Sequence, residues 1–234
     1  DYLSLTVFFL FLACTIYIIY KEMYKNDKNN IFINHYYINL EERKDRNKLI
    51  KNELSKIGIK SPNRFNAIKN KEGAVGCTMS HIEVLKKAKN KNWDYVVVFE
   101  DDVLFLNPTR TINKLNKIFN SDINWDVIIL GGNNYKPYEI LNEDFIKVSN
   151  CQTTTSYIVK KHYYDTMINN FESGLQKLKE TKIQEKYAID QYWKELQKKD
   201  TFILITPIEV IQREGYSDIG KKDVDYREMM LDLK

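Results

Sequence analysis

From residue 36 onward, short apolar runs alternate with stretches whose apolar positions recur at helical spacing. Residues 36–40 (YYINL) suit a buried strand, and residues 43–57 follow as a helix closed by Gly58. A second strand is predicted near 64–68. The next helix runs over about 78–89, with Ile82, Leu85 and Ala88 at core spacing. Residues 95–99 (YVVVF) make the clearest buried strand, and 126–130 (DVIIL), ended by Gly131 and Gly132, make another. Residues 155–159 read as a strand, 161–171 and 189–197 as helices, and 202–205 and 208–211 as closing strands. In the last of those helices Ile189, Tyr192, Trp193 and Leu196 share one face. Strands alternating with helices predict an α/β fold with a mostly parallel sheet covered on both faces.

Ahead of this region, residues 2–20 carry no charge, and at about 1.5 Å per helical residue they reach roughly 28 Å, enough to span a bilayer core. The run is apolar all round and a polar spacer follows it, so a transmembrane helix is expected in preference to a buried core helix. A cleaved signal peptide fits less well, because no small-x-small site follows the run. The expected organisation is a membrane anchor over 1–22, a spacer over 23–33 and a transferase-sized domain over 34–234, in a single-pass membrane protein. Lys21, Lys25 and Lys28 favour the cytoplasmic side for the flank, and the side of the membrane stays open.

Composition narrows the class. Of 234 residues, 43% are hydrophobic and 13% aromatic, which is enough for an ordinary core. The 8 Gly and 4 Pro show no period, which excludes collagen and repeat arrays. Basic residues number 36 against 32 acidic, a net +4 too small and too dispersed for a nucleic-acid footprint, so no nucleic-acid partner is expected. Three cysteines can form neither a disulfide framework nor a four-thiolate zinc site, which reserves any metal for oxygen ligands.

The strand 95–99 empties into Glu100, Asp101 and Asp102. Ligands in open α/β sheets sit beyond the carboxyl ends of strands. Acids this close raise one another's pKa unless a cation neutralises them, and a hard divalent ion would also hold a diphosphate. The alternative is a solvated strand end. Arg43 and Arg46 open the first helix, and Arg46 lies on the stripe of Ile50, Leu54 and Ile57. They fit the mouth of the sheet or a solvated turn paired with Glu41, Glu42 and Asp45 equally well. His81 shares the core-facing side of Leu85, beside Ser80, and by itself reads as a hydrogen-bonded core histidine. Asp190 fits a helix N-cap or a catalytic carboxylate. Gln212 and the run from Ser217 to Ile219 follow the final strand, in a loop of the kind that often touches substrate.

Read together, YYINLEERKDR (36–46), RFNAI (64–68), GCTMSHIEVLKKA (76–88), YVVVFEDDV (95–103), TTSYIVKK (154–161), IDQYW (189–193) and PIEVIQREGYSDI (207–219) resemble glycosyltransferase family 25 in order and spacing. The family includes lipooligosaccharide and collagen galactosyltransferases. The resemblance implies a GT-A-type fold and transfer of a hexose, galactose or glucose, from a UDP-sugar to a hydroxyl of a glycan or protein acceptor, with inversion. It places Asn39, Arg43, Arg46, Ser80, His81 and Gln212 at the substrates. It makes Asp102, with Asp101 and Glu100, the ligands of a divalent cation, Mn²⁺ ahead of Mg²⁺. Asp190 is the expected base, with Asp218 second. Glu100 stands where a strict Asp-x-Asp would begin, and the last histidine is His162, so the late histidine ligand of many GT-A enzymes is absent. The rival reading is a transferase-like module that binds glycans or protein without turnover. A metal-dependent phosphohydrolase shares the acid cluster.

Overall fold

The computed structural model describes residues 30–233 together with Leu12, Cys14, Thr15 and Tyr17. The chain divides into compact units over 1–33 and 34–234. The second unit's elements are β1 (His35–Asn39), α1 (Lys44–Lys56), β2 (Arg64–Asn66), α2 (Gly73–Asn90), β3 (Tyr95–Glu100), β4 (Val103–Phe105), α3 (Pro108–Phe119), β5 (Val127–Asn134), β6 (Tyr138–Ile140), β7 (Phe145–Val148) and β8 (Cys151–Lys160). There follow α4 (Tyr164–Thr181), the single turns α5 (Gln184–Tyr187), α6 (Ile189–Tyr192) and α7 (Lys194–Gln197), β9 (Phe202–Ile205), β10 (Val210–Gln212), β11 (Gly215–Ser217), β12 (Lys222–Val224) and α8 (Arg227–Leu231).

Eight strands form one sheet in the order β2-β1-β3-β8-β5-β9-β7-β6. Ladders β1/β2, β1/β3 and β5/β9 are parallel, while β8 runs against both β3 and β5, and β7 runs against β9 and β6. Following the directions across the sheet, only β8 and β7 are reversed, so the sheet is mixed but mostly of one sense. Val96, Val98, Val127, Ile129, Tyr157, Val159, Phe202 and Leu204 share one core with Leu85 and Ala88 of α2 and with Met167 and Phe171 of α4. Val97, Phe99, Ile128, Ile158 and Ile203, which alternate with them, are fully buried as well. Burial at both strand parities means that both faces of the sheet are covered.

Helix α2 begins five residues before the expected start at 78. The glycines that argue against helix in isolation serve close packing here: a Cβ on Gly76 would lie 2.5 Å from the carbonyl oxygen of Ile68. Strand β8 is also longer than the 155–159 expected, and β10 pairs with β4 in a separate two-stranded sheet instead of joining the main one. The hairpin β6/β7 is too short and polar to stand out in the pattern, whereas helix α3, with Leu115 and Ile118 on its buried side, Asn107 as N-cap and Pro108 at its start, carries clear helical signals although the expected elements omit it.

The single-pass localisation expected from residues 1–22 is corrected. Among the described residues no helix is long and apolar enough to cross a membrane, so neither that localisation nor the membrane partner drawn from it is supported. A span needs about 20 apolar residues in one helix, and helices such as α2 and α4 instead have an apolar side packed into the core. The expected span itself lies outside the described residues, apart from Leu12, Cys14, Thr15 and Tyr17, which are helical.

Candidate active site

The parallel register of β1 and β3, which sets Ile38 opposite Glu100, brings the carboxyl ends of both strands to one edge. Asn39 therefore meets the acids directly. Its Nδ2 donates to Asp101 Oδ2 at 2.7 Å and to the Arg43 carbonyl at 3.1 Å, while its Oδ1 accepts from Arg64 Nε. Strand β8 runs back past β3 with Ser156 opposite Phe99, which carries Thr154 and Thr155 to the same place. Thr154 Oγ1 donates to Glu100 Oε1 at 2.6 Å and Thr155 Oγ1 to Asp102 Oδ1 at 3.2 Å. The turn at Asp101 and Asp102 leads into β4, whose Val103 faces Gln212 of β10. Gln212 Nε2 thereby donates to Asp102 Oδ2 at 2.9 Å.

Arg46 closes the cluster from α1. Its Nη1 lies 2.9 Å from Asp101 Oδ1 and 3.2 Å from Asp102 Oδ2, and its Nη2 donates to the Tyr216 carbonyl at 2.8 Å. The inward stripe of α1, with Ile50 and Leu54 fully buried, aims the guanidinium at the sheet's mouth. Of the two placements open to Arg46, the structure takes that one. Arg43 behaves differently: it pairs with Asp45 and Asp218 at the rim.

Three acids against one half-buried guanidinium leave a surplus of negative charge, and the acids divide under it: burial works to raise Glu100, but His81, Thr154 and Arg46 hold it below its ordinary value, while the other two rise. Burial first, then the charge of Glu100, pushes the Asp102 carboxyl up to about 7, against the pull of Arg46. Burial raises Asp101 as well. Carboxylate oxygens are the preferred ligands of a hard divalent cation, and one or two of them with substrate phosphates suffice. Here Arg46 already stands between Asp101 and Asp102, and among the described residues the three ligand atoms gathered closely enough to hold an ion are those of Cys77, His81 and Glu100, not of the three acids.

Two cavities of about 310 and 530 Å³ adjoin here. Asn39, Arg46, Asp101 and Asp102 line the smaller, and Asp190, Thr153 and Asn133 the larger. Cys77, Glu100, Gln212, Ser217 and Ile219 line both. Asp190 caps no helix: Ala188 holds that position, and the Asp190 carboxylate accepts from the Thr153 amide at 3.2 Å. Thr153 adopts φ of 79°, a left-handed conformation costly for a β-branched residue. Burial raises the Asp190 carboxyl above its ordinary value, and the charge of Glu100 adds to the rise.

The other expected residues divide. Asp218 lines the smaller cavity but is engaged by Arg43. Ser80 is buried with its hydroxyl committed, donating to the Gly76 carbonyl at 2.7 Å and accepting from the Ile68 amide at 2.8 Å. His81 is fully buried, its Nδ1 2.8 Å from the Tyr157 hydroxyl. Thr153, Cys77 and the Tyr216 carbonyl were not expected as site groups. The run of three threonines at 153–155 is the one local signal that marks any of them.

The geometry is that of an α/β enzyme site, with acids and a guanidinium gathered at the carboxyl edge of the sheet. Residues 71–175, which include α2, β3, the acids and β8, match the family model described as glycosyltransferase family 25 (LPS biosynthesis protein). The match bears out the family resemblance read from the motifs, and with it the enzyme class, glycosyltransferase. The motifs at 36–46, 64–68 and 189–219 lie outside the matched residues. No curated protein matches the chain. Among solved structures, A197 from STIV is similar at 13% identity, covering 82% of this chain and 92% of that one, with a TM-score of 0.43. A glycosyltransferase involved in glycosylation of the major capsid of PBCV-1 is similar at 13% identity over 74% and 92%, with a TM-score of 0.40. A mutant Drosophila galactosyltransferase 7 in complex with manganese, UDP-Gal and xylobiose is similar at 11% identity over 57% and 50%, with a TM-score of 0.34. At these values they are likenesses of outline alone.

Proposed function

We propose that the chain transfers a hexose, galactose or glucose, from a UDP-sugar to a hydroxyl of a glycan or protein acceptor, with inversion, in a GT-A-type domain over residues 34–234. The observation that carries this reading is the pair of adjoining cavities with Glu100 lining both. One offers a guanidinium and acids for a nucleotide diphosphate. The other offers a half-buried carboxylate, Asp190, for an acceptor.

Asp190 takes the proton of the acceptor hydroxyl, whose oxygen forms the new bond at the anomeric carbon. The bond to the diphosphate breaks on the opposite face, and UDP leaves with the electron pair. A carboxylate raised by burial is a better base than an exposed one. Asp218 comes second, because Arg43 already engages it. A divalent cation, Mn²⁺ ahead of Mg²⁺, would be held by Asp102 with Asp101 and Glu100, and would offset charge on the leaving diphosphate. Arg46 holds Asp101 and Asp102 in place, Asn39 fixes Asp101, and Gln212 fixes Asp102. Arg43 borders the nucleotide from the rim. Ser80 and His81 shape the wall of the smaller cavity.

The test is the full chain incubated with a panel of UDP-sugars and hydroxyl acceptors, with and without chelator, with the product's anomeric configuration read by NMR. Acceptor-dependent, chelator-sensitive transfer of one hexose with inversion is expected. Donor binding without turnover would instead favour a binding module, and sugar-nucleotide hydrolysis that no acceptor stimulates would favour a phosphohydrolase.

A further inference from the structure

The sequence reading reserved metal for oxygen ligands, yet the fold gathers three unlike donors at one point. Cys77 and His81 are four residues apart on α2, so both project from the same face of the helix. That face meets the end of β3. Cys77 Sγ, a ring nitrogen of His81 and a carboxylate oxygen of Glu100 all lie within 4.8 Å of one another.

His81 supplies the second observation. It is fully buried, and its Nδ1 is fixed at 2.8 Å from the Tyr157 hydroxyl. The ring stacks on that tyrosine at 5.6 Å between centroids. Nε2 points the other way, 3.3 Å from Glu100 Oε1, an ion pair when the ring is protonated, and among the described residues it makes no well-aligned hydrogen bond. An unpaired buried polar atom is costly, on the order of 1–3 kcal/mol, and one aimed at a thiol and a carboxylate is explained by a ligand between them. In the tautomer that carries its proton on Nδ1 and donates it to Tyr157, the ring presents a lone pair from Nε2. Metal-bound histidines are commonly held in this way through their other nitrogen.

We propose that Cys77, His81 and Glu100 form a binding site for a thiol-seeking divalent cation of the zinc type, beside the cation expected at Asp102 and Asp101 and sharing Glu100 with it. Sulfur, nitrogen and oxygen in a three-residue set leave a fourth position for water, the arrangement of an open zinc site. Thiolate donors select zinc over manganese and magnesium. On binding, the Cys77 thiol gives its proton to solvent and the S–metal bond replaces the S–H bond. In the apo chain burial and the surrounding acids hold that thiol in its protonated form, so affinity rises with pH. Cys77 and Glu100 line both cavities, which gives the ion access from solvent. The site does not depend on which sugar, if any, the chain transfers.

Full chain stripped with chelator and titrated with Co²⁺ should develop a thiolate-to-cobalt charge-transfer band at one equivalent, bleached by Zn²⁺ and unaffected by equimolar Mn²⁺ or Mg²⁺. Cys77→Ser should lose the band, Cys14→Ser should keep it, and His81→Gln should weaken Co²⁺ binding at least tenfold. Alkylation of Cys77 by iodoacetamide, followed in the unmutated protein by mass spectrometry, does not depend on any variant folding, and Zn²⁺ should slow it at least tenfold. Absence of the band in the unmutated chain, its survival in Cys77→Ser, or an alkylation rate indifferent to Zn²⁺ would overturn the assignment.

Discussion

Arg46 and Asp101 stand 55 positions apart in sequence and 2.9 Å apart in space. The same guanidinium nitrogen lies 3.2 Å from Asp102, so one half-buried cation answers two carboxylates while Glu100 is held by Thr154 and flanked by His81. The surplus negative charge left at this edge is the source of most of the expectations below.

Removing Arg46 would leave Asp101 and Asp102 without their cation. Arg46→Met should lower stability by about 1–4 kcal/mol, between the value of an exposed pair and the cost of breaking a fully buried one. Arg46→Lys should cost less, because one ammonium keeps the charge and loses the fork that also reaches the Tyr216 carbonyl. Urea denaturation of the three proteins checks the order; equal midpoints would mean that Arg46 does not compensate the acids.

Asp102→Asn should weaken Mn²⁺-dependent UDP binding at least tenfold, about 1.4 kcal/mol, and leave the fold in place. Calorimetric titration with UDP, with and without Mn²⁺, reads this directly. Unchanged affinity in the variant would take the cation away from Asp102.

Asp190→Asn should depress kcat by roughly 10²–10⁴, the range for loss of a general base, while UDP affinity moves less than about threefold. Steady-state kinetics paired with binding measurements separate the two quantities. Equal turnover in the variant would move the role to another group, Asp218 first.

The raised Asp102 carboxyl also sets a pH dependence. Its folded value is about 7 against an ordinary value of 3.8, so between these limits the folded chain holds a proton that the unfolded chain has released. The stabilisation is complete below about pH 4 and is lost as pH rises through about 7. Asp101 and Asp190 are raised too and act with the same sign. Thermal denaturation in chelator should therefore show Tm falling from about pH 5 to about pH 8. Mn²⁺ should restore Tm at the higher pH and do little at the lower, where its ligand is protonated. A Tm that is flat over this window in chelator would contradict the shift.

Gly76→Ala should destabilise by about 1–3 kcal/mol, because the new methyl meets the backbone carbonyl of Ile68 at 2.5 Å and no flexible side chain can give way. Circular-dichroism melts would register it, and an unchanged Tm would mean that the 67–70 segment moves freely away from α2.

Much of this site was legible in the chain because its parts are local. The apolar run at 95–99 could only be a buried strand, and the acids that follow it had to emerge at its carboxyl end. The stripe through Ile50 and Leu54 put Arg46 on the inward side of its helix, but left a place at the sheet's mouth and a solvated turn equally open, and only the fold decided between them. The family pattern, too, consists of short segments in order, and it was readable before any of them were brought together.

Pairings between distant strands are another matter, since nothing in a local pattern states which strand lies beside which. Only the antiparallel run of β8 past β3 puts Thr154 and Thr155 on the acids, and only the β4/β10 ladder delivers Gln212 to Asp102. Likewise Cys77 and His81 read singly as core residues, and it takes the packing of α2 over the end of β3 to set them beside Glu100. Hydrophobic periodicity determined the elements and the ends at which chemistry could sit. The tertiary fold decided which side chains share a charge, a proton or an ion, because those energies depend on separations of a few ångströms that only long-range packing fixes.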